Sequence, residues 1–236
     1  MEKLNIYQTP EDLASLFAER LMSRIAQKAK GEFHLAISGG KTPDLLFAVL
    51  AEKYTNPDLW HKVHFWWVDE RMVPPDHYES NYRVANQLLL SQISIAEENI
   101  HRIKGENNPE EEALSYAVQI RKNLPSGNGW PVFDLILLGM GDDGHTASIF
   151  SDQMDLLESD QICAVATHPV SGQKRVTLTG KAINNAAKIC FLVTGAGKEE
   201  RLKEMRNYPD LARSLPAFHI LNAEWFVDQA AANLHR

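Results

Sequence analysis

Phe133-Asp-Leu-Ile-Leu-Leu-Gly-Met-Gly-Asp-Asp-Gly-His-Thr-Ala-Ser-Ile-Phe150 decides the fold. Its first part, Leu135 to Leu138, is an unbroken apolar run of the kind shown by a strand buried on both faces. The run breaks at Gly139 and Gly141, and Asp142, Asp143 and His145 follow at once. Titratable groups are thereby expected just beyond the C-terminal end of a buried strand, where open α/β sheets bind their ligands.

The same pattern recurs on both sides of this stretch. Phe33 to Ser38 reads as a strand and Pro43 onward as a helix, and Gly39-Gly40-Lys41-Thr42 between them reads either as a phosphate cradle or as a tight turn with Thr42 as a simple N-cap. Val63 to Val68 reads as a strand ending in Asp69-Glu70-Arg71, with a helix from Ser80 to about Leu90. Ile189 to Thr194 reads as a strand that breaks at Gly195-Ala-Gly-Lys198 before a helix to about Met205. Strands are also expected over 162–167, 174–179 and, as a last short one, 217–221. Helices are expected from Thr9-Pro10 to about Gly31, from Asn107–Pro109 to Asn123, over 181–187, and over 223–232 with Trp225 and Phe226 as packing anchors. Residues 125–129 read as a flexible loop. Alternation of strands and helices along the whole chain predicts an α/β fold. We read it as a single-domain, Rossmann-like, doubly wound and mainly parallel sheet with helices on both faces, with residues 1–236 as one domain.

Bulk properties narrow the function classes. The 236 residues are 44% hydrophobic and 23% charged, with a net charge of -7. That composition is ordinary for a globular protein, and the acidic balance argues against a nucleic-acid partner. Cys163 and Cys190 lie within apolar runs and read as reduced, buried thiols. The first residues carry no signal-peptide pattern, and no apolar run approaches the roughly 20 residues that span a bilayer. A cytoplasmic protein with no membrane partner is expected. No oligomeric state is legible.

Four strand-to-helix junctions, at 38–42, 69–71, 141–145 and 195–198, fall along one edge of such a sheet. Lys41, Arg71 and Lys198 among them point to an anionic ligand, with free helix N–H groups at the first junction adding donors. By spacing alone, Asp69 and Arg71 read more readily as a surface ion pair than as a guanidinium held for an anionic ligand. His145 is the natural general base, because its ordinary pKa lies near neutrality. Asp142 and Asp143 are both placed to orient it. No HxxxH pair, CxxC, Walker motif or dinucleotide fingerprint is present, so neither a metal nor a nucleotide cofactor is expected.

Several motifs together resemble the 6-phosphogluconolactonase family. They are Ser38-Gly-Gly-Lys-Thr-Pro43, Trp67-Val-Asp-Glu-Arg71 with Ser80-Asn81, and Gly139-Met-Gly-Asp-Asp-Gly-His-Thr-Ala-Ser148. Arg175-Val-Thr, the Gly-x-Gly-Lys198 junction and the closing Leu215-Pro-Ala and Trp225-Phe-Val-Asp228 are similar too. The resemblance implies a cofactor-free cytosolic hydrolase of the oxidative pentose phosphate pathway, acting on 6-phospho-D-glucono-1,5-lactone. It implies His145 as base, with Asp143 steadying it or contacting the sugar. It implies a phosphate site on Ser38, Gly39, Gly40 and Thr42 with Arg175 and Lys198, and Arg71 as a further cation held by Asp69. The side chain of Lys41 is read as turned to solvent. The sister isomerase/deaminase shares the phosphate loop and Asp143-Gly-His145 but carries a Glu where Phe150 stands here, which favours the lactonase. A sugar-phosphate sensor without turnover is the other alternative, and it would need neither Asp143 nor His145.

Overall fold

The computed structural model describes residues 3–232. In chain order its elements begin with β1 (Lys3–Tyr7), α1 (Pro10–Gln27), β2 (Phe33–Ile37), α2 (Lys41–Lys53), β3 (Val63–Trp67), β4 (Asp69–Arg71), α3 (Asn81–Leu88) and β5 (Ile100–His101). They continue with α4 (Pro109–Asn123), β6 (Ser126–Gly127), β7 (Trp130–Pro131), β8 (Leu135–Leu138), β9 (Cys163–Thr167), β10 (Lys174–Leu178) and α5 (Gly180–Asn184). The last are β11 (Ile189–Val193), α6 (Glu199–Asn207), α7 (Pro209–Ala212), β12 (Glu224–Asp228) and α8 (Gln229–Ala232).

Seven strands form one sheet in the order β1-β12-β11-β8-β2-β3-β5, and every pairing in it is parallel. The four residues of β8 are all buried, as the apolar run requires of a central parallel strand. Helices cover both faces. Trp66 and Trp67 are consecutive on β3 and point to opposite sides of the sheet. Trp66 packs on Tyr116 of α4, and Trp67 packs on Tyr82 of α3. Towards the other edge of the sheet, Phe17 of α1 meets Phe226 of β12 edge-on, with ring centroids 4.8 Å apart.

The strand order places the ligand crevice. From β2 the chain moves to β3 on one side, and from β8 it moves to β11 on the other. The loops leaving β2 and β8 therefore part in opposite directions, and a cleft opens between adjacent strand ends. Leu35 of β2 lies opposite Leu135 of β8, and Ser38, just past the end of β2, donates its hydroxyl to the Leu137 carbonyl of β8 at 2.9 Å.

Several local expectations are corrected. Residues 223–232 hold a buried strand, β12, and only one helical turn after it. The expected helix gives way because Glu224 to Asp228 lie between two parallel partners, β1 and β11, and Trp225 stacks on Phe191 at 3.8 Å. Residues 217–221 form no strand. Pro216–His219 is a single 3-10 turn there, since Pro216 supplies no N–H to a ladder. Asp69–Arg71 is not the tail of β3 but a strand of a second, antiparallel sheet in the order β4-β10-β9. Helix α2 starts at Lys41 with Gly40 as N-cap, so Thr42 lies inside its first turn instead of capping it. The loop at 125–129 is a small hairpin, closed by Asn128 and Gly129 at positive φ. Strands β1 and β5 were not legible, being short and at the sheet edges. Among the described residues no helix is long and apolar enough to cross a membrane.

Candidate active site

The cleft at the switch point is a cavity of about 560 Å³. Ser38, Gly39, Gly40, Thr42, Asp69, Arg71, His145, Arg175 and Lys198 all line it. Asp143 stands behind the ring of His145. Residues singled out across 160 positions of sequence thus meet in one place, because four strand ends and the second sheet converge there. Lys41 also lines the cavity although it is exposed.

The loop after β8 is built to hold His145. The Gly141 N–H donates to the His145 carbonyl at 2.8 Å, and the Gly144 N–H donates to the Gly141 carbonyl at 3.0 Å. The His145 ring and the Asp143 carboxylate then press so closely on Gly141 that a Cβ there would overlap both. Gly144 has φ +84, and a Cβ on it would meet Leu215. Both positions therefore require glycine, for close approach at the first and backbone conformation at the second. Ala147, two residues beyond His145, also takes a left-handed backbone, with φ 50. Such a conformation is uncommon for a residue with a Cβ, and here it falls on a residue lining the cleft.

Of the two candidate carboxylates, Asp143 meets the histidine. Its Oδ1 lies 2.6 Å from His145 Nδ1 and also accepts from the His145 backbone N–H at 3.2 Å. The hydrogen bond from the His145 side chain holds the Asp143 carboxyl at about 2, well below its usual range. A carboxylate acceptor at Nδ1 places the proton of a neutral imidazole there and leaves the lone pair on Nε2. On its other side the ring packs against Phe150, with centroids 4.9 Å apart. Asp142 turns the other way and pairs with Lys198 at 2.5 Å.

The second sheet brings two arginines together. Arg71 of β4 and Arg175 of β10 are directly opposed in register. Like charges so placed are unfavourable without an anion to share. Burial pulls the Arg175 pKa below the ordinary arginine value, and Arg71 pulls it further, with Asp69 acting against both. The Nε atoms of both arginines are buried without a hydrogen-bond partner. Arg71 donates to the Glu79 carbonyl at 2.8 Å, and Arg175 reaches Ser148 Oγ only at 3.4 Å. The guanidinium of Arg175 also sits 5.6 Å from the centre of the Phe150 ring.

The expected hold of Asp69 on Arg71 is absent. Asp69 is buried, and its carboxylate accepts instead from the Ser148 hydroxyl at 2.6 Å. Glu70, on the opposite face, was not assigned a role. Its carboxylate accepts from the backbone N–H groups of Arg71, Asn81 and Tyr82 and from the Ser80 hydroxyl. It thereby anchors the start of α3 to β4. Asn81, held by the Asp69 carbonyl, lines the cleft as well. So does Thr194, whose hydroxyl meets that of Thr42 at 2.7 Å. A polar residue ending the apolar run Ile189–Val193 was the available signal for Thr194.

One group of possible metal ligands among the described residues, Glu32, His34 and His64, lies at the opposite end of the sheet. Trp66 Nε1 donates to His34 Nδ1 at 3.2 Å, and His64 Nδ1 meets His101 Nε2 at 2.9 Å. A metal on His34 Nε2 would force the ring proton onto Nδ1, against the Trp66 N–H. Burial holds His34 and His101 at about 4, so both rings are neutral. His34 and His64 are thus each engaged in a hydrogen bond within the core, with the exposed Glu32 carboxylate 3.4 and 3.5 Å from their Nε2 atoms.

Residues 8–227 match the family described as glucosamine-6-phosphate isomerases/6-phosphogluconolactonase. The chain belongs to that family. It is 44% identical over 206 residues to a 6-phosphogluconolactonase of Haemophilus influenzae, covering 85% of this chain and 87% of the relative. A crystal structure of a devB protein superposes with a TM-score of 0.94 at 41% identity over 99% of both chains. A 6-phosphogluconolactonase from Trypanosoma cruzi superposes with a TM-score of 0.86 at 27% identity, covering 100% of this chain and 97% of that one. Both solved structures thus share the doubly wound sheet of this chain.

Proposed function

We propose that this protein hydrolyses 6-phospho-D-glucono-1,5-lactone to 6-phospho-D-gluconate, the lactone-opening step of the oxidative pentose phosphate pathway, with His145 as general base. The observation that carries this reading is the Asp143–His145 contact of 2.6 Å at the edge of a cleft lined by two arginines whose buried Nε atoms have no hydrogen-bond partner. Asp143, held ionised, fixes the tautomer that presents Nε2 to water. Nε2 takes a proton as the water oxygen attacks the lactone carbonyl carbon. Backbone N–H groups of the surrounding loops stabilise the negative charge that grows on the carbonyl oxygen. When the intermediate collapses, the bond to the ring oxygen breaks, and the His145 imidazolium returns its proton to that oxygen. The product acid ionises in solution.

The phosphate is assigned to Gly39 and Gly40 and the α2 N-terminus, with Ser38 and Thr42 beside them and Arg175 and Lys198 as cations. Helix N–H groups and guanidinium forks both suit a phosphate. Arg71 shares the anion with Arg175. The whole chain acts as one domain in the cytoplasm, on a small sugar-phosphate lactone, without a cofactor or metal.

Phe150 favours hydrolysis over the amino-sugar chemistry of the isomerases. It fills, as a buried apolar ring against His145, the place where that chemistry would need an acid. Loss of the lactone with and without protein, corrected for its spontaneous hydrolysis, tests the reading beside a glucosamine-6-phosphate deamination assay. Acceleration is expected in the first assay only. Deamination without lactone hydrolysis would overturn it.

A further inference from the structure

The loop after β8 carries two consecutive carboxylates, and the mechanism uses only Asp143. Asp142 places its Oδ1 2.5 Å from Lys198 Nζ. The two residues come from different junctions, and both line the cleft. Lys198 is drawn in, with its side chain 21% exposed, whereas Asp142 stays 77% exposed. The cation assigned to the phosphate is therefore already occupied by an anion of the chain itself. Arg71 and Arg175, with their Nε atoms buried and unpartnered, are not occupied in this way.

We propose that Asp142 is a built-in competitor of the substrate phosphate for Lys198, a positioning residue that weakens anion binding and so speeds release of the product. The proposal rests on the reading of Lys198 as a phosphate cation. Asp142 keeps the flexible lysine chain at the cleft and spares some ordering on binding. Against that stands its charge. A phosphate on the same ammonium would come within roughly 5 Å of the Asp142 oxygens, and a dianion that close to a carboxylate is repelled even in a water-like surrounding. Substrate and product carry the same phosphate, so the repulsion acts on both and limits how long the product stays.

The sign of the effect makes the proposal testable. Asp142→Asn keeps an oxygen that can accept from Lys198 but removes the negative charge. Calorimetric titration with 6-phosphogluconate should show about three- to tenfold tighter binding to this variant. Steady-state kinetics should show a lower KM and a kcat that is equal or reduced. In the Lys198→Ala background the same substitution should gain much less, because the contested cation is gone. Unchanged or weaker binding by Asp142→Asn would overturn the proposal, since a merely structural carboxylate predicts loss and never gain. Wild-type affinity in Lys198→Ala alone would instead refute the phosphate reading, and the proposal with it.

Discussion

Asp143 decides which nitrogen of His145 carries the proton. Its carboxyl sits at about 2 instead of 3.8 because the histidine side chain donates to it. A carboxyl with a lowered native pKa stabilises the fold fully above its unfolded value and loses that contribution as pH falls through the native one. The gap in urea midpoint between wild type and Asp143→Asn should therefore be widest at pH 6 and shrink between pH 4 and about 2. A gap independent of pH would contradict the pairing. The same substitution should lower kcat by about a hundredfold or more, because an amide no longer fixes the tautomer. His145 and Asp143 were legible in the sequence as a dense glycine-flanked cluster after an apolar strand. The choice between Asp142 and Asp143 was not, since it depends on how the loop folds back through Gly141 and Gly144.

At the scale of elements, the site stands on the start of α3 and the short strand β4. Glu70 joins them through four accepted hydrogen bonds while almost fully buried. Glu70→Gln would turn an amide N–H₂ towards N–H donors and leave some of them unpaired. It should cost about 2–4 kcal/mol in chemical denaturation. It should also weaken 6-phosphogluconate binding, because Arg71 and Asn81 both lie at this junction. A variant as stable as wild type would show that the carboxylate is not the anchor. Sequence patterns read β2, β3, β8 and β11 well, because each is a short apolar run that ends in glycine or in a polar cluster. The patterns failed where an element owes its form to distant partners. β12 becomes a strand because β1 and β11 flank it, and β4 becomes one because β10 pairs with it. A window of local residues carries neither fact. Arg175 entered the site by resemblance alone for the same reason, since its place opposite Arg71 follows from the pairing of β10 with β4.

At the scale of the whole molecule, the two sheets bury what the site does not use, Cys190 on β11 of the parallel one and Cys163 on β9 of the antiparallel one. Both cysteines lie in strands of the core. Burial raises the Cys163 thiol pKa far above its ordinary value and that of Cys190 to about 12. Neither should react with a disulfide reagent at pH 8 in the native protein, and both should react once it is unfolded. Rapid native labelling would show that the core opens more readily than its packing suggests. The sheet's order also explains why the catalytic and phosphate-binding loops adjoin although they come from distant parts of the chain. β2 and β8 are neighbours whose loops diverge, and the cleft between them is a consequence of topology. The central claim, that His145 activates water there, is tested most directly by the rate of lactone loss catalysed by His145→Ala, measured above the spontaneous background with 6-phosphogluconate affinity determined on the same preparation. The account predicts a kcat lower by about a hundredfold or more with affinity nearly unchanged. Hydrolysis at the wild-type rate would contradict it.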